Sequence, residues 1–205
     1  MSRTRGVLMM MLLAVLACAV AEEEASPSAA IKAGILLNVA EFVEWPTNAF
    51  ADATTPLVVG VVGKDPFGPD LDNLQGRKID GRNIEVRRFK GSLEFRGEET
   101  PGRRQEGLAE KRNRKARELK ACHILFISSS EKDFLETILK SIGDANVLTV
   151  GELPEFTRQG GMVGFVGNGP KVLLEINLAA AREARLKISS KLLSLSRVVG
   201  GGEVE

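Results

Sequence analysis

Tyrosine is absent from this 205-residue chain, which holds one tryptophan, one histidine and two cysteines. Each shortage excludes something. With His123 as the only imidazole, a zinc site would have to be built mainly from carboxylates, unlike the Cys/His sets that zinc prefers. Cys18 lies in an N-terminal targeting segment, so the exported chain keeps one thiol, Cys122, and cannot close an intramolecular disulfide. Cys122 and His123 are adjacent, and neighbouring strand residues point to opposite faces, so they do not share a site. Neither sign of charge dominates. The 28 Lys and Arg stand against 27 Asp and Glu, without the basic excess of a duplex nucleic-acid binder. Beyond residue 21 no apolar run reaches the roughly 20 residues that cross a bilayer as a helix.

What is present begins with a targeting signal. Arg3 and Arg5 form a positive region, Val7–Leu16 is almost unbroken apolar sequence, and Ala19-Val20-Ala21 is a small-x-small cleavage site. Residues 1–21 are therefore read as a cleaved secretory signal, which places the mature protein in the periplasm. The rival is a lipoprotein signal ending at Cys18, against which the bulky Leu16 stands in a slot that favours small residues.

The mature chain has the size and apolar content of one domain, taken as residues 28–199 with a disordered tail over 200–205. Ala29–Trp45 reads as a helix capped by Ser28 and limited by Pro46, with Ile31, Ile35, Val39, Phe42 and Val43 on its apolar face. Leu57–Val62 is a β-branched run, the pattern of a strand buried on both faces. Ile84–Phe89 alternates as an edge or half-exposed strand does, after a turn at Asp80-Gly81. Residues 90–120 form a charged, partly flexible insertion, with an exposed loop over Glu94–Gln105 and a polar helix over Glu106–Leu119. Strand, helix and strand then alternate: His123–Ile127, Glu131–Ile142, Val147–Val150. A short helix over Pro154–Gln159 leads to Gly160-Gly161. Met162–Val166 and Val172–Ile176 flank Gly167-Asn168-Gly169-Pro170 as a hairpin would, and terminal helices follow. The pattern predicts a single α/β domain: a mostly parallel, Rossmann-like sheet, helices on both faces, and a C-terminal β-hairpin at the edge.

Catalytic chemistry finds little support. Ser128-Ser129-Ser130 closes a core strand where α/β folds bind ligands, but His123 is at the opposite end of that strand, roughly 17 Å away at about 3.3 Å per residue. Loop polarity and helix capping account for the serines. Gly60–Asp65 lacks P-loop spacing, and Asp65, Asp70 and Asp72 match no EF-hand loop. No catalytic, cofactor-binding or metal-binding residue is assigned, and the chain is read as a non-enzyme. Trp45, the sole tryptophan, and Phe67, apolar in a polar loop, are the aromatic candidates for a partner contact.

Ile31–Pro46, Gly63–Gly68, Cys122–Ser128, Gly160–Gly164 and Glu175–Leu193 together resemble the YfiR family. The resemblance spans nearly the whole mature chain. It implies a periplasmic α/β protein that binds the periplasmic sensor domain of a membrane diguanylate cyclase, holds it inactive and so lowers cyclic-di-GMP, with effects on biofilm formation. It also implies a homodimer and an outer-membrane lipoprotein that sequesters the repressor. A sensor kinase is an alternative receptor. The better-known relatives carry disulfides, which a chain with only Cys122 does not form, and the 90–120 segment is longer and more basic than the family leads one to expect. Trp45, Phe67, Ser189, Ser190, Lys191 and Leu192 are taken as partner-binding residues, although each also fits a packing role. The competing functional reading is a periplasmic small-molecule sensor using the crevice near Lys64–Gly68 and Ser128–Ser130.

Overall fold

Local sequence builds most elements directly, and the computed structural model describes residues 28–91, 105–167 and 172–200, with the backbone alone over 105–109. Helix α1 (Ala29–Glu41) is capped by Ser28, whose hydroxyl accepts a hydrogen bond from Ile31 N at 3.3 Å. It stops four residues before the expected end, because Val43–Glu44 is strand β1. Its buried residues are Ala33, Leu36, Leu37, Val39 and Ala40, whereas Ile31 is 48% exposed. That helix is apolar almost all the way round, so periodicity alone could not choose the inward side.

Strand β2 (Leu57–Val62) is buried at every position. Helix α2 (Pro69–Asp72) begins with proline at its first turn, where no amide hydrogen is needed. Strands β3 (Lys78–Ile79) and β4 (Arg82–Phe89) meet at Asp80-Gly81, whose φ angles of 49° and 79° are the left-handed pair of a tight hairpin. Helix α3 (Gln105–Lys120) is the polar helix of the charged insertion, while the expected loop falls mostly outside the described residues. After β5 (Ile124–Ile127) comes a 3-10 segment (Ser129–Phe134), then α4 (Leu135–Ile142), so the single helix expected from Glu131 is split at Phe134 and is α-helical only from Leu135. Pro154–Gln159 is a run of turns and not a helix, and Glu155 there has a φ of 57° that no helix accommodates.

The chain continues through β6 (Leu148–Gly151), β7 (Val163–Val166), β8 (Leu173–Asn177), α5 (Leu178–Glu183), β9 (Lys187–Ile188), α6 (Ser190–Ser194) and β10 (Arg197–Val199). The main sheet has eight strands in the order β10-β8-β7-β6-β5-β2-β4-β3. Strands β4, β2, β5, β6 and β7 run parallel, and β8 returns antiparallel to β7. The tip of that hairpin lies outside the described residues. The hairpin stands at the expected end of the sheet, but β10 adds one more strand beyond it, parallel to β8. Arg197 secures this strand, donating from Nε at 2.6 Å and from Nη2 to the buried Glu175 carboxylate, which also accepts from Thr157 Oγ1. The Thr157 bond and then the Arg197 cation hold Glu175 below the usual carboxylate range.

Alternation along the strands feeds two cores. Leu57, Val59 and Val61 of β2 join Ile124, Phe126, Leu148, Val150 and Val163 under α1, α2, α5 and α6. Val58 and Val62 face the other way, with Leu125 and Ile127, against Leu119 of α3 and Leu135, Ile138 and Ile142 of α4. The sheet is therefore sandwiched by helices, as predicted.

Candidate functional site

The order β5-β2-β4 makes the carboxyl ends of β2 and β5 a topological switch point, the usual ligand crevice of an α/β sheet. Here the protein fills it. Ser130 Oγ accepts from Lys64 N at 3.0 Å and donates to Glu131 Oε1 at 2.9 Å, stitching the loop after β2 to the loop after β5. Glu131 itself is buried. A Cβ on Gly63 would stand 2.5 Å from its Oε1, and one on Gly91 2.6 Å from its Cδ. Both glycines have positive φ, 90° and 67°, so they supply the backbone shape as well as the space.

The neighbouring charges are likewise spent on structure. Asp65 Oδ1 accepts from Phe67 N at 2.7 Å, and Arg88 bridges Asp65 at 2.7 Å and Asp72 at 2.6 Å. Those hydrogen bonds raise the Arg88 pKa further, Asp65 contributing first. Among the described residues no group of three or more His, Cys, Asp or Glu converges as a metal site would need. At the far end of β5, His123 Nδ1 accepts from Val58 N at 3.0 Å, its Nε2 lies 3.1 Å from Ala49 O, and its ring stacks on Phe50 at 4.2 Å. Cys122 is buried in the opposite core, and burial pushes its thiol pKa up to about 12. Neither is placed to act as a base or nucleophile for Ser128–Ser130.

A surface of different character lies under the first core. Strand β1 pairs antiparallel with β9, placing Val43 opposite Ile188 and Glu44 opposite Lys187. Ser189 N donates to Phe42 O at 2.9 Å, which extends the pairing, and Ser189 Oγ accepts from Lys191 N at 3.2 Å to cap α6. The Lys191 ammonium sits 5.2 Å from the centre of the Phe42 ring. Trp45, next along from β1, is half-buried and meets Phe50 edge-on at 6.3 Å. Its indole Nε1 is buried and, among the described residues, has no hydrogen-bond acceptor.

The structure thus sets the Ser189–Lys191 segment against Phe42, three residues before Trp45, although the two segments are far apart in sequence. Glu44, Lys187, Ser190 and Lys191 are exposed along this pairing, and Leu195, which follows α6, is exposed to 71%. Two of the sequence-derived candidates are core residues instead. Phe67 is 1% exposed and packs edge-on to Phe126 at 4.6 Å, and Leu192 is 4% exposed within the same cluster. Phe67 looked surface-bound because its loop is polar, yet the chain turns its ring under α1. Leu195 was missed: an apolar residue after a helix is ordinary in sequence, and only its exposure makes it a candidate.

A family model described as YfiR/HmsC-like matches residues 29–197. A search of curated proteins finds no match.

Proposed function

Because the chain belongs to the YfiR/HmsC-like family, whose model spans nearly all of it, we propose that it is a periplasmic regulator that binds the periplasmic sensor domain of a membrane diguanylate cyclase and represses cyclic-di-GMP synthesis. The carrying observation is that a family of regulators of this signalling pathway is matched over residues 29–197. Two features of the fold support binding as its work. The switch-point crevice is occupied by Glu131 and Ser130, which speaks against a small-molecule sensor of the ordinary α/β kind. The segments that follow β1 and β9, by contrast, offer a half-buried tryptophan, an exposed leucine and a cation, residue types favoured in partner contacts.

Deleting the gene and measuring cyclic-di-GMP tests the reading. The expected result is a rise, reversed by the wild-type protein and less well by a Trp45→Ala/Lys191→Glu variant that is exported and folded. Unchanged cyclic-di-GMP across several growth conditions would count against it.

A further inference from the structure

The charged face of α3 has no part in the binding patch just described. This helix carries Lys111, Arg112, Arg114, Lys115, Arg117 and Lys120 against Glu106, Glu110 and Glu118. Its rotation is fixed by two inward residues. Leu119 is fully buried, and Lys115 is only 6% exposed, its ammonium 4.4 Å from the centre of the Phe89 ring. The other five cations are exposed. Arg114, Arg117 and Lys120 follow one another at three-residue steps, which keeps them along one outward stripe. Arg114 reaches Glu118 at 4.0 Å, and among the described residues Lys111, Arg112, Arg117 and Lys120 make no ion pair. In a chain with a net charge of only +1, these five cations are a local concentration of exposed positive charge on one helix.

We propose that the outer face of α3 is a docking surface for an anionic phospholipid bilayer. The face is complementary in charge to phosphate headgroups, and its described part, residues 110–120, presents no exposed apolar anchor of the kind a protein partner uses. Among the residues whose side chains are described, the exposed large hydrophobics are Ile31, Leu173, Leu195 and Val198, none of them on α3. Protein interfaces centre on desolvated aromatic or apolar anchors, whereas a headgroup surface is satisfied by cations alone. With only cations at Arg114, Arg117 and Lys120, this stripe lies on the bilayer surface and does not sink into it. Lys115 and Leu119 pack on the face of the sheet opposite the core that carries Trp45 and Leu192. A bilayer under α3 therefore leaves the β1–β9 patch free for a membrane receptor.

Co-sedimentation with phosphatidylcholine vesicles, with and without phosphatidylglycerol, tests the proposal on the purified mature chain. The wild type is expected to pellet only with phosphatidylglycerol, and less so as salt rises. Arg114→Glu/Arg117→Glu/Lys120→Glu is expected to weaken partition by about a hundredfold or more, taking about fivefold for each cation. Arg77→Glu/Lys78→Glu/Arg182→Glu changes the net charge equally at exposed positions elsewhere and is expected to bind nearly as the wild type does. Thermal melting shows whether each variant is folded. Failure of the wild type to pellet with phosphatidylglycerol, or equal loss in both triple variants, overturns the proposal. The assay contains no signalling partner, so its failure leaves the regulatory reading untouched, and failure of the deletion test leaves this one untouched.

Discussion

His123 makes the stability of this fold depend on pH in a direction that its surroundings dictate. Both NH and CO of Val58 point toward β5: the oxygen accepts from His123 N at 2.9 Å, and the amide donates to His123 Nδ1 at 3.0 Å. With Nδ1 an acceptor, Nε2 carries the proton and donates to Ala49 O. The ring also stacks on Phe50, whose ring in turn lies 3.8 Å from the Arg82 guanidinium. A second proton on Nδ1 would face the Val58 amide hydrogen inside a buried, cationic neighbourhood. Burial lowers the His123 pKa below 6.5, the bond to Ala49 acts the other way, and Arg82 and Arg87 lower it again. The unfolded chain therefore binds more protons than the folded one once pH falls below about 6.5. Stability is full above that value and declines below it, by at most about 1.4 kcal/mol per pH unit, until the folded pKa is reached. Between pH 7.5 and 5.5 the loss is up to about 1.4 kcal/mol, or about 3–6 °C in Tm for a domain of this size. Carboxylates titrate lower and contribute little in that window. His123→Gln cannot titrate, so it should be less stable at pH 7.5, by about 1–2 kcal/mol of lost hydrogen bonding and stacking, yet its melting temperature should be nearly flat from 7.5 to 5.5. Thermal denaturation followed by circular dichroism measures both. Equal pH slopes in the two proteins would refute the reasoning.

Two further outcomes follow from packing. The Phe156 ring lies against Gly151 and Gly161, where an added Cβ would stand 2.6 Å and 2.5 Å from ring carbons; Gly161→Ala should destabilise by about 1–3 kcal/mol in urea unfolding, with partial recovery in Gly161→Ala/Phe156→Leu. Cys122, 2% exposed with its pKa pushed up to about 12, should resist thiol reagents at pH 8 in the native protein and react fully in denaturant; fast native labelling would show that the α3 side of the core opens readily.

Most of the sheet was legible because its signals are local. The run Leu57–Val62 needs no distant partner to be recognised as a doubly covered strand, and Asp80-Gly81 announces its own turn. The misreadings share a cause. Val43–Glu44 continues an apolar helical period, but its backbone bonds to Lys187–Ile188. Arg197–Val199, after the expected terminal helices, carries no strand signal of its own, but Glu175 offers its arginine a buried carboxylate. In Pro154–Gln159, the left-handed Glu155 breaks a stretch that composition favoured as helix.

By itself, then, the sequence determined the α/β class, the order of the central strands and main helices and the resemblance to a family, because periodicity and turn chemistry act over a few residues. Tertiary structure decided where contacts between distant segments fall. It buried Phe67 and Leu192, closed the switch-point crevice with Glu131, and set Lys191 over the Phe42 ring. Exposure is a property of what packs on a side chain from elsewhere in the chain, and no local pattern encodes it.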